Sequence, residues 1–195
     1  NNPRAASIDT PLHAFIPRPH VDHLHPDALI AIAASENGEQ ITKELFSGEI
    51  GWVGWRRPGF ELGLELEAKY NENPDQKGII LASHGLFTWG NSAKESYETT
   101  LEIIQKVTDY LAEHAEDAPF GGEINAALDG EVRTRIAQTL MPIFRGKLSQ
   151  DQPKIGHFND SDVVLQFVGS KQCRELAAMG TSCPDHFLRT KICPL

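Results

Sequence analysis

Apolar and polar positions along the chain predict several strands. Residues 78–83 form a short continuous apolar run, which is typical of a strand covered on both faces of a sheet. Residues 48–55 alternate bulky and small side chains and predict another extended segment, which ends in a turn at 56–59. Residues 162–168 are rich in valine and predict a further strand.

End signals and helical spacing predict the helices. After Pro26, an aspartate in the first turn and the stop signal Asn37-Gly38 predict a buried helix of about ten residues. The longest helix is expected to begin with a capping box at Ser92 and to end near Glu116. Further helices are predicted at 60–70, with a mostly acidic face, at 128–144 and at 171–179. Core stripes are expected at residues 97, 101, 104, 107 and 111 and at residues 132, 136, 140 and 143.

Composition narrows the class of protein. The 195 residues carry 18 basic and 27 acidic side chains, a formal net charge of -9, without a basic block of five or more. A nucleic-acid partner is therefore not expected, nor is a membrane span, which needs an apolar run of roughly 18 residues. The three cysteines lie in the last quarter without a C-x-x-C pair and favour reduced, cytoplasmic thiols. We expect one domain over 1–195.

Histidines are concentrated near the start of the chain, with four of the eight between residues 13 and 25. If this stretch is extended, His23 and His25 project from one face while Leu24 points to the other. Two adjacent imidazoles gain little from each other unless a cation lies between them. A metal site is therefore the first hypothesis, although a lone His-x-His on a strand is more often structural.

A third imidazole comes from the end of the apolar run, where His84-Gly85 follows the predicted strand. The glycine permits a close approach of the backbone or a positive φ. Three imidazoles with an open position are the arrangement of catalytic zinc. We therefore predict that His23, His25 and His84 bind Zn²⁺ or another divalent transition metal.

Two aspartates are candidates for a general acid/base beside the metal. Asp9 precedes Thr10-Pro11 in a predicted turn, where, from the residues alone, a plain role as a helix N-cap is favoured over a catalytic one. Asp22 is the alternative, and as the neighbour of His23 it is expected rather to orient an imidazole.

These residues resemble the class II aldolase/adducin superfamily, in which a His-x-His motif and a later His-Gly at a strand end hold a zinc ion. The matching segments are His23–His25, Ser83–Gly90 and the Pro-Gly turn of Pro58–Leu62. More narrowly, Ser7–Phe15 and the tail Thr181–Lys191 are similar to the bifunctional rhamnulose-1-phosphate aldolase/short-chain alcohol dehydrogenase group.

The resemblance implies a three-layer α/β/α sandwich with a mostly antiparallel central sheet, assembled as a homo-oligomer, with a tetramer favoured. It also implies reversible cleavage of a ketose 1-phosphate, here rhamnulose 1-phosphate, to dihydroxyacetone phosphate and lactaldehyde. Asp9 stands where the superfamily commonly has glutamate, so its side chain is one methylene shorter. The phosphate loop that the resemblance places upstream is absent from 1–195, and we expect an aldolase domain lacking its N-terminal portion.

Other functions stay open at this stage. An adducin-like module would keep the fold for oligomerisation without catalysis, although retention of three histidines disfavours it. The chain could instead be part of a bifunctional protein named for a short-chain dehydrogenase/oxidoreductase half, and epimerisation of a sugar phosphate is also compatible. In the tail, the resemblance implies an active-site or subunit-contact role for Asp185, His186 or Arg189, while a capped surface turn fits the same residues.

Overall fold

The computed structural model describes residues 4–189, apart from the side chain of Phe187. In this part of the chain the strands are β1 His20–Leu24, β2 Ile50–Val53, β3 Gly78–Leu81 and β4 Gly85–Gly90. The helices are α1 Thr10–Ala14, α2 Asp27–Ala33, α3 Gly38–Phe46, α4 Phe60–Glu72, α5 Ala93–His114, α6 Gly130–Leu148, α7 Asp162–Val168, α8 Cys173–Met179 and α9 Pro184–Arg189, with a 3-10 turn at Pro119–Gly121.

The four strands form one sheet in the order β1-β4-β3-β2. β4 pairs antiparallel with β1 and with β3, and β2 pairs parallel with β3. The prediction of a mostly antiparallel sheet is confirmed, although the single parallel pairing makes the sheet mixed. In the β1–β4 register His23 lies opposite Phe87, and Leu24 lies opposite Leu86.

Side chains of the two central strands alternate between the faces of the sheet, as the pleat requires. Ile79 and Phe87 pack in a core with α1 and α4, whereas Ile80 and Leu86 pack in a second core with α2, α3 and α5. The sheet therefore lies between two helical layers, which confirms the three-layer α/β/α sandwich.

Contacts divide the chain into two compact units. One unit comprises residues 1–115 and 180–195, and it contains the sheet; the other comprises residues 116–179. The single-domain organisation of 1–195 stays a prediction. Among the helices of the described chain, none has the length and apolarity to cross a membrane.

Several predicted elements form where the sequence placed them. The strand of 48–55 is β2, the helix of 60–70 is α4, and the buried helix after Pro26 is α2. The longest helix begins after Ser92, whose Oγ accepts a hydrogen bond from the Glu95 N–H at 3.2 Å. Gly180 ends α8 with a φ of +89°, the left-handed conformation that glycine adopts easily.

Other predictions about secondary structure are wrong. Residues 162–168 form helix α7 rather than a strand, because Val163, Val164, Phe167 and Val168 also fit helical spacing. The predicted stop at Asn37-Gly38 is followed at once by α3, which the sequence analysis did not anticipate.

The predicted core stripes are also displaced. The buried residues of α5 are Ser96, Thr100, Ile103 and Val107, so the buried face is rotated by about one residue from the predicted stripe and Tyr97 is exposed. In α6 no residue is fully buried, and Ile136, Leu140 and Ile143 are exposed in the described chain. The spacing of apolar residues located both helices, but it did not identify which of their residues pack against the rest of the protein.

Two leucines of α4 test this packing. Leu66 is 0% exposed in the core between α4 and the sheet, whereas Leu64 is 45% exposed. We expect Leu66→Ala to lower the free energy of unfolding by about 2–5 kcal/mol because it leaves a cavity. Leu64→Ala, the matched control on the same helix, should cost less than about 1 kcal/mol. Urea titrations measure both values, and equal losses would contradict the orientation of α4.

Candidate metal centre

A tight turn holds His84 between the two central strands. Residues 82–84 join β3 to β4, and Ser83 has a φ of +50°, in the left-handed region. The Ser83 N–H donates to the Ala33 carbonyl at the end of α2 at 2.7 Å, and the Ala82 N–H donates to the Val53 carbonyl of β2 at 2.9 Å. Both neighbouring elements therefore fix the backbone from which His84 projects.

Three imidazoles converge beside this turn, as the sequence analysis proposed. The Nε2 atom of His23 lies 3.0 Å from Nε2 of His25 and 3.2 Å from Nε2 of His84. One ring nitrogen from each residue lies within 4.8 Å of the others. Nitrogens bound to one metal ion at about 2.1 Å are separated by about 3.0–3.4 Å, so these spacings fit a common ion.

Hydrogen bonds at the outer ring nitrogens define the protonation of two of these rings. Nδ1 of His23 donates to the Leu86 carbonyl at 3.0 Å, and Nδ1 of His25 donates to the carboxylate of Asp185 at 2.5 Å. Because both acceptors lack a hydrogen, each Nδ1 carries a hydrogen, and Nε2 is the ring nitrogen that is left to bind a metal. Two lone pairs that face each other at 3.0 Å repel unless a cation lies between them.

Burial keeps His23 and His84 neutral. The pKa of His23 is lowered to about 3, chiefly by desolvation and to a smaller extent by the neighbouring His84 and His25. Desolvation also lowers the pKa of His84 to about 4, again with a contribution from His25. His84 is 3% exposed, and its Nδ1 has no hydrogen-bond partner within the described residues. Neutral imidazole is the form that binds a metal, so the donor set fits a divalent ion.

Gly85 allows His25 to approach the hairpin. A Cβ atom at this position would lie 2.5 Å from Cδ2 of His25 and 2.5 Å from the Leu24 carbonyl oxygen. The expected close approach at Gly85 is thus confirmed, while the positive φ of the turn belongs to Ser83. A larger residue at 85 would displace the ring of His25.

Helix α1 borders the same face of the sheet. The ring of Phe87 stacks on His23 with centroids 4.0 Å apart, and the ring of His13 lies 5.4 Å from Phe87 and 6.3 Å from His23. Asp9, the N-cap residue of α1, lies close enough for its charge to raise the pKa of His23, although less than burial lowers it. The side chain of Asp9 makes no capping hydrogen bond.

Asp22 does not have the orienting role expected of it. Strand alternation directs it to the α5 face, where its Oδ2 accepts a hydrogen bond from the Ser96 Oγ at 2.6 Å. The orienting acceptors of the imidazoles are instead the Leu86 carbonyl and Asp185. His20 lies exposed at the start of β1.

Sequence reasoning missed His13 and Phe87 as neighbours of the cluster, and it named Asp185 only as one of three tail residues for which the resemblance implied an active-site or subunit-contact role. The apolar pattern around Phe87 indicated that this side chain is buried, but it did not indicate that β4 pairs with β1 and places Phe87 opposite His23. Asp185 lies 160 positions from His25 in the chain, so nothing in the sequence indicated that it would contact this particular imidazole. Thr190 and Lys191 of the same tail motif lie outside the described residues.

The low pKa values predict a loss of stability in acid. Below about pH 6.5 the histidines of the unfolded chain bind protons, whereas His23 and His84 stay neutral in the fold until pH approaches 3–4. Metal-free protein should therefore lose about 1–2 kcal/mol per buried imidazole between pH 6.5 and pH 5, with no such loss above pH 6.5. Urea titrations across this range measure the slope.

Two variants separate this effect from general acid sensitivity. The Gln side chain of His84→Gln cannot be protonated, so this variant should have a smaller slope, to which His23 still contributes, whereas His20→Gln, at an exposed position of β1, should leave the slope unchanged. Identical slopes in all three proteins would contradict the assignment of depressed pKa values to the cluster.

Comparisons with known proteins identify the family of the chain. The family described as "Class II Aldolase and Adducin N-terminal domain" matches residues 1–110, and "Aldolase class II, second domain" matches residues 135–195. The uncharacterized oxidoreductase YuxG of Bacillus subtilis (strain 168) is 38% identical over 190 residues, which are 97% of this chain and 28% of that protein. The chain therefore spans less than a third of that relative's length.

Solved structures show more limited similarity. The N-terminal class II aldolase domain of a conserved protein from Thermoplasma acidophilum is 33% identical, with a TM-score of 0.49 over 54% of this chain and 48% of that chain. A sugar-phosphate aldolase from Thermotoga maritima is 17% identical, with a TM-score of 0.45 over 56% of each chain. The N-terminal family description alone accounts for more than half of the sequence, and the chain belongs to the class II aldolase and adducin family.

Proposed function

We propose that this chain is the aldolase domain of a metal-dependent class II aldolase that reversibly cleaves a ketose 1-phosphate. The observation that carries the proposal is the close approach of three imidazoles, with Nε2 of His23 3.0 Å from Nε2 of His25 and 3.2 Å from Nε2 of His84. Membership of the class II aldolase and adducin family supports the reaction class. Rhamnulose 1-phosphate is the proposed substrate, with dihydroxyacetone phosphate and lactaldehyde as the products.

His23, His25 and His84 would hold the metal, for which we propose Zn²⁺. When bound by three neutral ligands, a divalent cation keeps its full charge and stabilises negative charge that develops on substrate oxygens. The chain contributes rigid placement, because the turn of residues 82–84 is hydrogen-bonded to α2 and β2.

Asp9 is the proposed acid/base. Aldol cleavage requires a base that removes the proton of the hydroxyl group that becomes the aldehyde, and a proton must return to the carbon of the other product. Asp9 is half-buried at the start of α1, on the face of the sheet that carries His23. Its Oδ2 accepts a hydrogen bond from the Ser7 Oγ at 3.4 Å, which limits its rotamers.

Assembly as a homo-oligomer, with a tetramer favoured, is also part of the proposal. Exposed apolar side chains on α5, among them Tyr97 and Leu101, would be covered in such an assembly. We place the protein in the cytoplasm, where its thiols would stay reduced; in the described chain Cys173 and Cys183 form no disulfide.

Metal analysis is the first test. Purified protein should bind one Zn²⁺ per chain after dialysis, as measured by mass spectrometry of the metal content. His23→Ala and His84→Ala should each lose this metal, because two remaining ligands leave an incomplete site. His20→Ala, in the same strand but exposed, is the matched control and should retain it.

The same measurement separates the proposal from two alternatives. An adducin-like module would be metal-free and would still form oligomers. The Bacillus subtilis relative is named an uncharacterized oxidoreductase, so oxidoreductase activity of a longer protein is the second alternative. A nicotinamide-dependent activity that survives His84→Ala would locate that function outside this site.

Asp9→Asn tests the acid/base. In the full-length protein we expect kcat for cleavage of rhamnulose 1-phosphate to fall about 10²–10⁴-fold because the amide cannot accept a proton, while the metal content stays unchanged. Asp75→Asn, at an exposed turn, is the matched control and should retain activity. Release of dihydroxyacetone phosphate, followed by a coupled reductase, gives the rate. Metal binding without cleavage of any ketose 1-phosphate would reject the aldolase assignment.

A further inference from the structure

We propose that Asp185 is a positioning residue of the metal centre, which acts through His25 and brings the C-terminal helix α9 into the site. The inference rests on the proposed metal site and goes beyond it, because it assigns a role to a residue far from the ligands in sequence. Asp185 is not one of the three proposed ligands. It accepts a hydrogen bond from His25, which is one of them.

The contact between Asp185 and His25 is short and directed. Oδ2 of Asp185 lies 2.5 Å from Nδ1 of His25, the ring nitrogen opposite the one that faces His23. The side chain of His25 is 22% exposed and that of Asp185 is 40% exposed, so the bond lies at the edge of the site with the imidazole on the inner side. This bond fixes both the tautomer and the rotation of the ring.

The carboxylate is itself held in place. Nε of Arg189, one turn later in α9, donates to Oδ1 of Asp185 at 3.4 Å. Cys183, which precedes the helix directly, is buried and anchors the start of α9. Each oxygen of Asp185 therefore has its own donor, and the side chain is not free to turn away from His25.

The three ligands differ in how their outer nitrogens are supported. His23 donates to a main-chain carbonyl of β4, and Nδ1 of His84 has no partner among the described residues. Within that part of the chain, Asp185 is the carboxylate that accepts a hydrogen bond from a ring of the cluster. Three neutral imidazoles would not compensate the charge of a bound dication. Asp185 supplies a negative charge that is one hydrogen bond away from the ligand His25.

This arrangement couples metal binding to the docking of α9. A carboxylate acceptor increases the basicity of the imidazole it orients, and partners of this kind typically contribute 10–100-fold to metal affinity or activity. Linkage is reciprocal, so an ion that binds Nε2 of His25 should stabilise the contact between Nδ1 and Asp185. The tail then takes part in the site although it supplies no ligand.

Asp185→Asn tests the inference in the full chain. The amide keeps the size of the side chain but loses its charge, so we expect Zn²⁺ affinity, measured by competition with a chromogenic chelator, to fall about 10–100-fold. The ligand-field bands of the Co²⁺-loaded variant should shift because the orientation of the His25 ring changes. Asp185→Glu keeps the charge and should recover part of the affinity.

Asp160→Asn is the matched control. Asp160 is 36% exposed and pairs with Arg133 at 3.1 Å, so this variant also removes a half-exposed, ion-paired carboxylate, but in the other compact unit. Its Zn²⁺ affinity and Co²⁺ spectrum should equal those of the wild type. Thermal unfolding of the metal-free proteins shows whether each variant keeps the fold.

The outcomes separate this inference from the proposed function. If the wild type binds no metal, the proposed function fails and the inference falls with it. If the wild type binds metal and Asp185→Asn binds within about threefold of it with an unchanged Co²⁺ spectrum, only the inference is overturned. A loss of affinity that Asp185→Glu does not relieve, together with a destabilised metal-free fold, would make Asp185 structural and would also overturn it.

Discussion

Antiparallel pairing of β1 with β4 is the constraint on which the candidate site depends. It places His23 opposite Phe87, brings the Leu86 carbonyl within reach of the ring, and leaves His25 directly over Gly85. A slip of one residue in this register would turn His23 toward α5 and Asp22 toward α1. The two apolar cores, which hold Phe87 on one face and Leu86 on the other, oppose such a slip. Packing of the sheet therefore determines the geometry of the imidazoles.

The same part of the sheet contains three features that are each unfavourable to the stability of the fold. Lone pairs of His23 and His25 face each other, the buried Nδ1 of His84 lacks a partner in the described chain, and Ser83 has left-handed backbone angles. Each feature costs stability, and their concentration in one turn and one strand end is typical of a functional site. A cation between the Nε2 atoms would remove the repulsion, so the arrangement fits the proposed metal site.

Local sequence was informative where the chemistry depends on neighbours in the chain. The His-x-His spacing identified one face of β1, and the apolar run before His84 identified a buried strand that ends in the site. Local sequence was less informative where tertiary packing determines the secondary structure or the burial of a side chain. Residues 162–168 form a helix although their valines favour a strand, and the apolar residues of α6 are exposed in the described chain. The spacing of apolar residues indicates which face of a helix or strand is apolar, but it does not determine which other element packs against that face.

Long-range contacts lie beyond such reasoning for a physical reason. Asp22 was chosen for its proximity to His23 in sequence, yet adjacent residues of a strand point to opposite faces, and it bonds to Ser96 instead. The acceptor that orients His25 comes from a helix 160 residues later, within the segment that matches the second family description, whereas the ligands lie within the segment that matches the first. The proposed metal centre and the carboxylate that contacts it thus come from both matched segments. A boundary drawn between them would separate His25 from the carboxylate that orients it.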